Sequence, residues 1–323
     1  LNGLNAGYIP PGPGNDPIRA PDALPTGRNF YGFNPEKIPT RAAWKVGKKL
    51  ADDLVEGYLK KNGRYPHKTA LVLWATETLR HHGVMESKAL YLMGARPVWD
   101  GRGYVKGVEL IPESELKRPR IDILVSASGL YRDVFPIQIG LIDDAVQFVI
   151  KAEKEKYENF VRLHTLEAEQ VFREKGYSEK EAKEFARFRI FGAPNQGYGT
   201  GLDQAIPASG TWEKDDKLSD LYINRMNYAY SRNVWGKKSK DAFKQALKGT
   251  DMVVHSRSTN LFGVLDNDDF YQYMGGLAMA VRNVSGKSPE LYVSDAKDPS
   301  SPKMVNFAKF MGLETRARYF NPK

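Results

Sequence analysis

Hydrophobic positions change period several times along the chain. Residues 41–62 (RAAWKVGKKLADDLVEGYLKKN) set Trp44, Val46, Leu50, Leu54 and Tyr58 at helical spacing, with Gly63 as a stop, and predict an amphipathic helix. TALVLWA (69–75) is a continuous apolar run of strand length, which predicts a strand covered on both faces. A helix over about 84–93 followed by the extended segment PVWD would complete a β-α-β step. GYVKGVELIP (103–112) and RIDILVSASG (120–129) read as two further strands. The second ends in the small residues Ser126, Ala127, Ser128 and Gly129.

From about 136 to 188 the pattern turns wholly helical, and Ser178-Glu179-Lys180-Glu181 has the spacing of a capping box. A glycine-rich loop follows (191–212), then helices at 214–230 and 239–248 and a strand at MVVHS (252–256). The aspartate-rich stretch after it opens a helix to about 284, ELYVS (290–294) is a strand, and 302–311 is a helix. Alternating strands and helices predict an α/β fold: a multi-layer arrangement with a largely parallel sheet flanked by helices, plus a helical insertion. The division expected is a linker or truncated edge at 1–23, an α/β subdomain at 24–150, a mainly helical subdomain at 151–250, and an α/β segment at 251–323 that completes the fold.

Composition narrows the function classes. The chain has 323 residues, 41% hydrophobic and 27% charged, as in an ordinary soluble globular protein. With no cysteine, disulfides, thiolate metal sites and cysteine nucleophiles are excluded. Nothing resembles a signal peptide, and no apolar run reaches the roughly 18 residues that span a bilayer, so no membrane span and a cytoplasmic setting are expected. The first 22 residues are crowded with Gly, Pro and Asn and start at Leu1, as a connection cut from a larger polypeptide would. A net charge of +9 raises nucleic acid as a partner. Lysines interleaved with acids (KAEKEKYENF, YSEKEAKEF) instead build solvated helix faces, and no nucleic-acid partner is expected.

Several motifs fail on inspection. Gly286-Lys287-Ser288 mimics the end of a phosphate-binding loop, but Val281 stands where the first glycine is needed. Gly197-Tyr198-Gly199-Thr200-Gly201 lacks the dinucleotide spacing and reads as a loop able to close over a ligand, or as a plain connection. Asp266-Asn267-Asp268 matches the opening of a calcium loop, yet Phe270 and Tyr271 occupy its fifth and sixth places. Acids there also serve as a helix cap. His81-His82 follows the first strand. Adjacent histidines form no clamp, but one beside Glu77 or Glu86 could accept a proton or ligate a metal, or be an ordinary surface histidine. His255 closes a strand with the same alternatives, and His67 and His164 read as structural. Arg132-Asp133 could be a salt bridge, or Arg132 could hold a ligand carboxylate.

Five separated stretches then carry a family resemblance: LPTGRNFYGFNPEKIPTRAAW (24–44), ALVLWATETLRHHG with YLMGARPVWD, RPRIDILVSASGLYRDVFPIQIGLIDDAV (118–146), FRIFGAPNQGYGTGLDQAI (188–206) and VLDNDDFYQYMGGLAMAV (264–281). Together, in order and spacing, they resemble the large subunit of cobaltochelatase (CobN) and the large H component of magnesium chelatase over about 24–323. The Asn-Asp-Asp-Phe-Tyr-Gln and Arg-Pro-Val-Trp-Asp forms look more like the cobalt branch.

The resemblance implies a fragment of a much longer tetrapyrrole-binding catalytic subunit, inactive alone if its flanks complete the pocket. Cobalt or magnesium would be the substrate ion, and ATP would be hydrolysed by AAA+ motor subunits as partners. Cobalt insertion into a corrin precursor is the leading reading; magnesium insertion into protoporphyrin, or a tetrapyrrole or metal carrier without catalysis, are the alternatives. Insertion requires a base for the inner N–H protons, a flat aromatic slot and partners for the ring's side chains. The residues expected in those roles are Glu77, His81, His82 and Glu86 for proton transfer, and Arg28, Asn29, Trp74, Arg80, Arg132, Tyr198, Phe270 and Tyr271 for the ring. His81, His82, Asp268 and Asp269 are expected to handle the metal. Some magnesium-branch members place an acid directly after the glycine matching Gly83, whereas here Val84 and Met85 precede Glu86. GVLDNDDFYQYMGG reads as an acid-capped helix start bordering the cleft, with Gly275-Gly276 allowing close packing or close approach of a ligand.

Overall fold

A computed structural model describes residues 2–14, 23–31, 34–153, 155–259 and 263–321; residues 15–22 of the Gly/Pro-rich start lie outside it. Two short strands, β1 (Gly12–Pro13) and β2 (Asn29–Tyr31), pair as a ribbon of their own. α1 (Arg41–Asn62) has the bounds its periodicity predicts. Thr40 Oγ1 caps it by accepting from Ala43 N at 3.1 Å, and Gly63 ends it with φ of 69°.

Next come β3 (Lys68–Leu73), α2 (Ala75–His81) and α3 (Val84–Met93), and every residue of α3 is buried. The expected β-α-β step through PVWD does not form. β4 (Ala95–Trp99) and β5 (Val105–Leu110) instead pair antiparallel as a hairpin outside the main sheet. Their burial alternates, which suits a ribbon with one face covered, whereas β3 is buried throughout. Asp100 closes the turn by accepting from the N–H groups of Arg102 and Tyr104.

α4 (Glu113–Leu116), β6 (Asp122–Ala127), α5 (Gly129–Val134), α6 (Pro136–Ile150), α7 (Phe160–Glu174) and α8 (Glu179–Arg187) follow. The capping box forms in both directions, Glu181 N to Ser178 Oγ and Ser178 N to Glu181 Oε2. Three short strands that the pattern did not announce appear among the helices: β7 (Ile190–Gly192), then β8 (Tyr228–Tyr230) and β9 (Trp235–Lys238) after α9 (Leu202–Ala205) and α10 (Asp216–Met226). At three or four residues they are too short to show a period. α11 (Lys240–Leu247) and β10 (Met252–Arg257) come next, then a π-helix (Phe270–Gly275) that runs into α12 (Gly276–Ser285). β11 (Glu290–Asp295), β12 (Lys303–Asn306) and α13 (Phe307–Glu314) complete the order. The helix expected from 302 starts five residues later, because 303–306 pairs with β11 and Asn306 Oδ1 caps α13 at Ala308 N and Lys309 N.

The main sheet has the order β12-β11-β10-β3-β6-β7-β8-β9. β11, β10, β3, β6 and β7 run parallel, and the outer strands are antiparallel. This is the largely parallel, helix-flanked α/β sheet that the alternation predicts. Successive residues serve opposite faces. Leu71, Leu73, Ile123, Val125, Met252 and Val254 join a core with residues of α1, α3 and α6. Ala70, Val72, Leu124, Val253 and Val293 join a second core with residues of α7, α8, α10, α11 and α12.

From β3 the chain steps to β6 and β7 on one side, then returns to β10 and β11 on the other. The order therefore reverses between β3 and β10. In open α/β sheets the crevice beyond the strand ends at that reversal is where ligands bind.

Candidate functional site

A cleft of about 360 Å³ opens at this point. β3 delivers Trp74, Thr76 and Arg80 to it, β6 delivers Ser128, Gly129 and Leu130, and the segment after β10 delivers Asn267, Asp269 and Tyr273. The glycine-rich loop after β7 adds Tyr198 and Gly199. Gly129 is required by close approach, since a Cβ there would stand 2.7 Å from Gly197 O and from the Tyr198 ring.

Of the residues expected to act, Trp74, Arg80, Tyr198 and Asp269 meet in this cleft. Trp74 Nε1 donates to Ser256 Oγ at 3.2 Å, which joins the end of β3 to β10. Behind it His255, fully buried, lies 5.4 Å from the Trp74 ring and stacks on Phe270 at 4.1 Å. Burial pushes His255 down to about 4, so it stays neutral. Phe270 is thus a core ring under the cleft, while Tyr271 is 40% exposed and not among the cleft's lining residues.

Other expected residues hold the structure around the cleft. His81 Nδ1 accepts from the N–H groups of Gly83 and Val84 at 3.2 and 3.1 Å, so the imidazole caps the start of α3. His82 ends α2 in the left-handed region, with φ of 52°. Glu77, 1% exposed, accepts from Ser258 Oγ at 2.6 Å and lies 3.5 Å from Arg80 Nη1. Glu86 is equally buried, accepts from Thr78 Oγ1 at 2.7 Å, and is pushed up by burial, with the Thr78 bond opposing. It does not line the cleft.

Arg132 is 1% exposed and fully engaged. Its Nε and Nη2 grip Asp133 at 2.7 and 2.9 Å, and Nη1 donates to the carbonyls of Ala193, Pro194 and Gly197. Of the two readings of the Arg132-Asp133 pair, the geometry is that of the salt bridge. Arg132 is the clasp of the glycine-rich loop, and Tyr198 donates to Asp133 Oδ2 at 2.6 Å from the same loop. Asn29 opens β2 of the separate ribbon and its Nδ2 donates to Ala23 O, and Arg28 just before it accepts from Gly12 N through its carbonyl; neither lines the cleft.

The aspartate-rich stretch is a turn that leads into a π-helix. Asp266 Oδ2 accepts from Gly263 N and Asn267 Oδ1 accepts from Asp269 N. A Cβ on Gly276 would meet Leu202 at 2.7 Å, so that glycine allows close packing. Asp268 is exposed and accepts from Gln272 Nε2 at 2.6 Å, and Gln272 Oε1 in turn accepts from Thr200 N and Oγ1. Gln272 therefore ties the acid pair to the glycine-rich loop. Asp269 is half-buried, and burial followed by its neighbour Asp268 pushes it up to about 6. Tyr273, one turn on, is raised by burial and by Asp269, with the backbone N–H groups of Gly199 and Gly129 opposing. Among the described residues no group of three or more His, Asp or Glu is placed to hold a metal ion.

Sequence reasoning missed Asn267, Gln272 and Tyr273. The four-residue steps Asp268–Gln272 and Asp269–Tyr273 were visible signals that these residues share a helical face. Thr76 and Leu130 gave none.

A family model described as CobN/Magnesium Chelatase matches residues 1–323. The chain belongs to this family. It is 35% identical over 325 residues to the aerobic cobaltochelatase CobN protein of Sinorhizobium sp, covering 100% of this chain and 25% of that one. It is 35% identical over 326 residues to the H component of magnesium chelatase from Cereibacter sphaeroides, covering 100% and 26%. The solved catalytic subunit of cobaltochelatase from Mycobacterium tuberculosis superposes with a TM-score of 0.89 at 34% identity, covering 99% of this chain and 27% of that one. The chain thus spans about a quarter of the length of the curated relatives it matches. Among the described residues no helix is long and apolar enough to cross a membrane.

Proposed function

We propose that this CobN/magnesium chelatase chain contributes a tetrapyrrole-facing cleft to the catalytic subunit of an ATP-dependent metal chelatase. The observation that carries the reading is the meeting, at the reversal point of the sheet, of Trp74, Tyr198 and Tyr273 with one carboxyl, Asp269, raised to about 6. Aromatic side chains suit a planar macrocycle, and Arg80 suits its peripheral carboxylates. Seating a divalent ion releases two inner N–H protons. A carboxylate whose pKa lies near the working pH is a competent acceptor for each in turn, because it is ionised beforehand and can pass each proton on to solvent. Asp269 is the member of the expected set that unites that property with a place in the cleft. Asp268 beside it contributes negative charge that attracts the incoming cation.

Cobalt insertion into a corrin precursor is the favoured reaction, on the strength of the Asn-Asp-Asp-Phe-Tyr-Gln and Arg-Pro-Val-Trp-Asp forms. Equal identity to a cobalt and a magnesium relative does not separate the branches. AAA+ motor subunits would hydrolyse ATP, in keeping with the broken phosphate-loop motif at Val281, and the assembly would work in the cytoplasm.

The test uses the full-length polypeptide with motor subunits, ATP and Co²⁺ or Mg²⁺, beside ring binding followed by tryptophan quenching. Asp269→Asn should bind the metal-free ring normally and lose metal insertion. Wild-type protein that quenches with a ring but never yields metallated product would make the chain a carrier, and no quenching with corrin or porphyrin would remove the reading altogether.

A further inference from the structure

At the opposite edge of the sheet, where β3 and β6 begin, α7, α8 and α11 enclose a second pocket of about 220 Å³. Its polar floor is Lys68, 4% exposed, and its walls are aromatic, with Phe172, Phe185 and Phe188. His164 lines it from α7, and Lys248 lies at the exposed rim.

Basic side chains outnumber acids here: Lys68, Arg189 and Lys248 line the pocket against Glu167, with Asp122 behind it. Asp122 is fully buried, and its carboxylate is taken by Arg189 Nε at 2.7 Å and His164 Nδ1 at 2.8 Å. The other guanidinium donors of Arg189 go to the carbonyls of Ala186, Phe188 and Val161 and to Thr165 Oγ1. Lys68 is left with carbonyls alone: Nζ donates to Ala246 O at 3.0 Å and Lys248 O at 2.8 Å, in the last turn of α11 and just past it. That arrangement caps the helix C-terminus and uses two of the three ammonium N–H bonds. Among the described residues no acceptor meets the third. A buried ammonium without a carboxylate in hydrogen-bond contact is costly, and a site lined by one favours an anion. His164 adds no donor for an anion: Nδ1–H is given to Asp122, and in the neutral ring Nε2 accepts.

We propose that this pocket binds a small monocarboxylate with an apolar body, its carboxylate on the third N–H of Lys68 and its body among the phenylalanines. The volume excludes a macrocycle. A phosphate or other dianion would need more free donors than the pocket offers, since Arg189 is already saturated. Burial pushes Lys68 down to about 8, and a bound carboxylate would raise it again. The pocket lies across the sheet from the chelatase cleft, so this inference is independent of the function proposed for that cleft.

The test is calorimetry and saturation-transfer NMR on the whole chain with benzoate, and with benzamide as the uncharged isostere. Benzoate should bind with uptake of protons near pH 8, and benzamide should bind at least about tenfold more weakly. Lys68→Met should reduce benzoate affinity by about tenfold or more. Lys248→Glu, at an exposed position that leaves the fold intact, should weaken it by reversing the rim charge. No saturation transfer from the wild-type chain to benzoate, equal binding of benzoate and benzamide, or undiminished binding by Lys248→Glu would each overturn the proposal.

Discussion

Ser258 Oγ donates a 2.6 Å hydrogen bond to Glu77 Oε1, and this bond spans the point where the strand order reverses. Glu77 belongs to the helix after β3, and Ser258 to the segment after β10 that carries Asp268 and Asp269. The carboxylate is 1% exposed, so the bond works where water does not compete. Glu77→Ala would leave Ser258 and Arg80 without this acceptor and should cost about 2–3 kcal/mol in urea unfolding. Glu77→Gln keeps an acceptor oxygen for Ser258 and should cost about 1 kcal/mol. Equal losses in the two variants would show that the Ser258 bond is not what Glu77 contributes.

His81 gives a comparable test of cap against ligand. Its Nδ1 receives two backbone N–H groups at the start of α3. His81→Ala should therefore destabilise by about 1 kcal/mol, the usual value of a lost helix cap. His81→Asn, which can offer an oxygen to the same donors, should recover part of it. The affinity for Co²⁺ or Mg²⁺ should not change in either variant, and a tenfold loss measured by calorimetry would make His81 a metal ligand instead.

Lys88 makes the stability depend on pH. It is fully buried in α3, and among the described residues Nζ donates to Ser294 Oγ at 2.8 Å and Met304 Sδ at 3.2 Å, neither of them charged. Burial pushes it down to about 7 from an ordinary value of 10.5. A base with a depressed folded pKa binds fewer protons in the folded state than in the unfolded one. Its cost is therefore fully present below pH 7 and fades as the pH rises toward 10.5. Lys68, also depressed, acts in the same sense. Lys88→Met should stabilise the chain at pH 7 by on the order of a few kcal/mol and flatten the rise between about pH 7 and 10. Urea midpoints at about pH 7, 8 and 9 read this directly, and parallel curves for variant and wild type would contradict it.

Arg132 ties three loop carbonyls and Asp133 to one guanidinium, a geometry that an ammonium cannot copy. Arg132→Lys should cost about 2 kcal/mol, discounted because Asp133 is partly exposed. Amide exchange over residues 194–199 should quicken by more than the global destabilisation explains, whereas a uniform increase along the chain would show that Arg132 does not clasp the loop.

Elements whose period outlasts two turns or four strand residues were legible in the sequence. α1 and the buried run of β3 follow from spacing alone. β7, β8 and β9 offered three or four residues each, and their membership of the sheet is decided by neighbours far away in the chain. The same limit divides the site. Trp74, Arg80, Tyr198 and Asp269 were legible because chemistry-bearing residues stood next to strand ends or glycines. That His81 serves α3, and Arg132 a loop some sixty residues away, depends on side-chain direction and partners, which composition and spacing do not encode. Gln272 was hidden for a further reason, since its two contacts join segments seventy residues apart through a π-helical turn.

Asp269 supplies the sharpest kinetic test of the cleft. Its carboxyl is raised to about 6 by burial and by Asp268. As the pH falls through 6 the carboxylate gains a proton and loses its capacity as acceptor, so kcat/KM for insertion should decline on the acid side with a midpoint near 6. Asp268→Asn removes the neighbouring negative charge, which favours the ionised form of Asp269 and should shift that midpoint to lower pH. Asp269→Asn should abolish insertion at every pH while ring binding persists. An acid limb that stays in place in Asp268→Asn would mean that a different group accepts the proton, with the buried Glu86 next to be examined by the same profile.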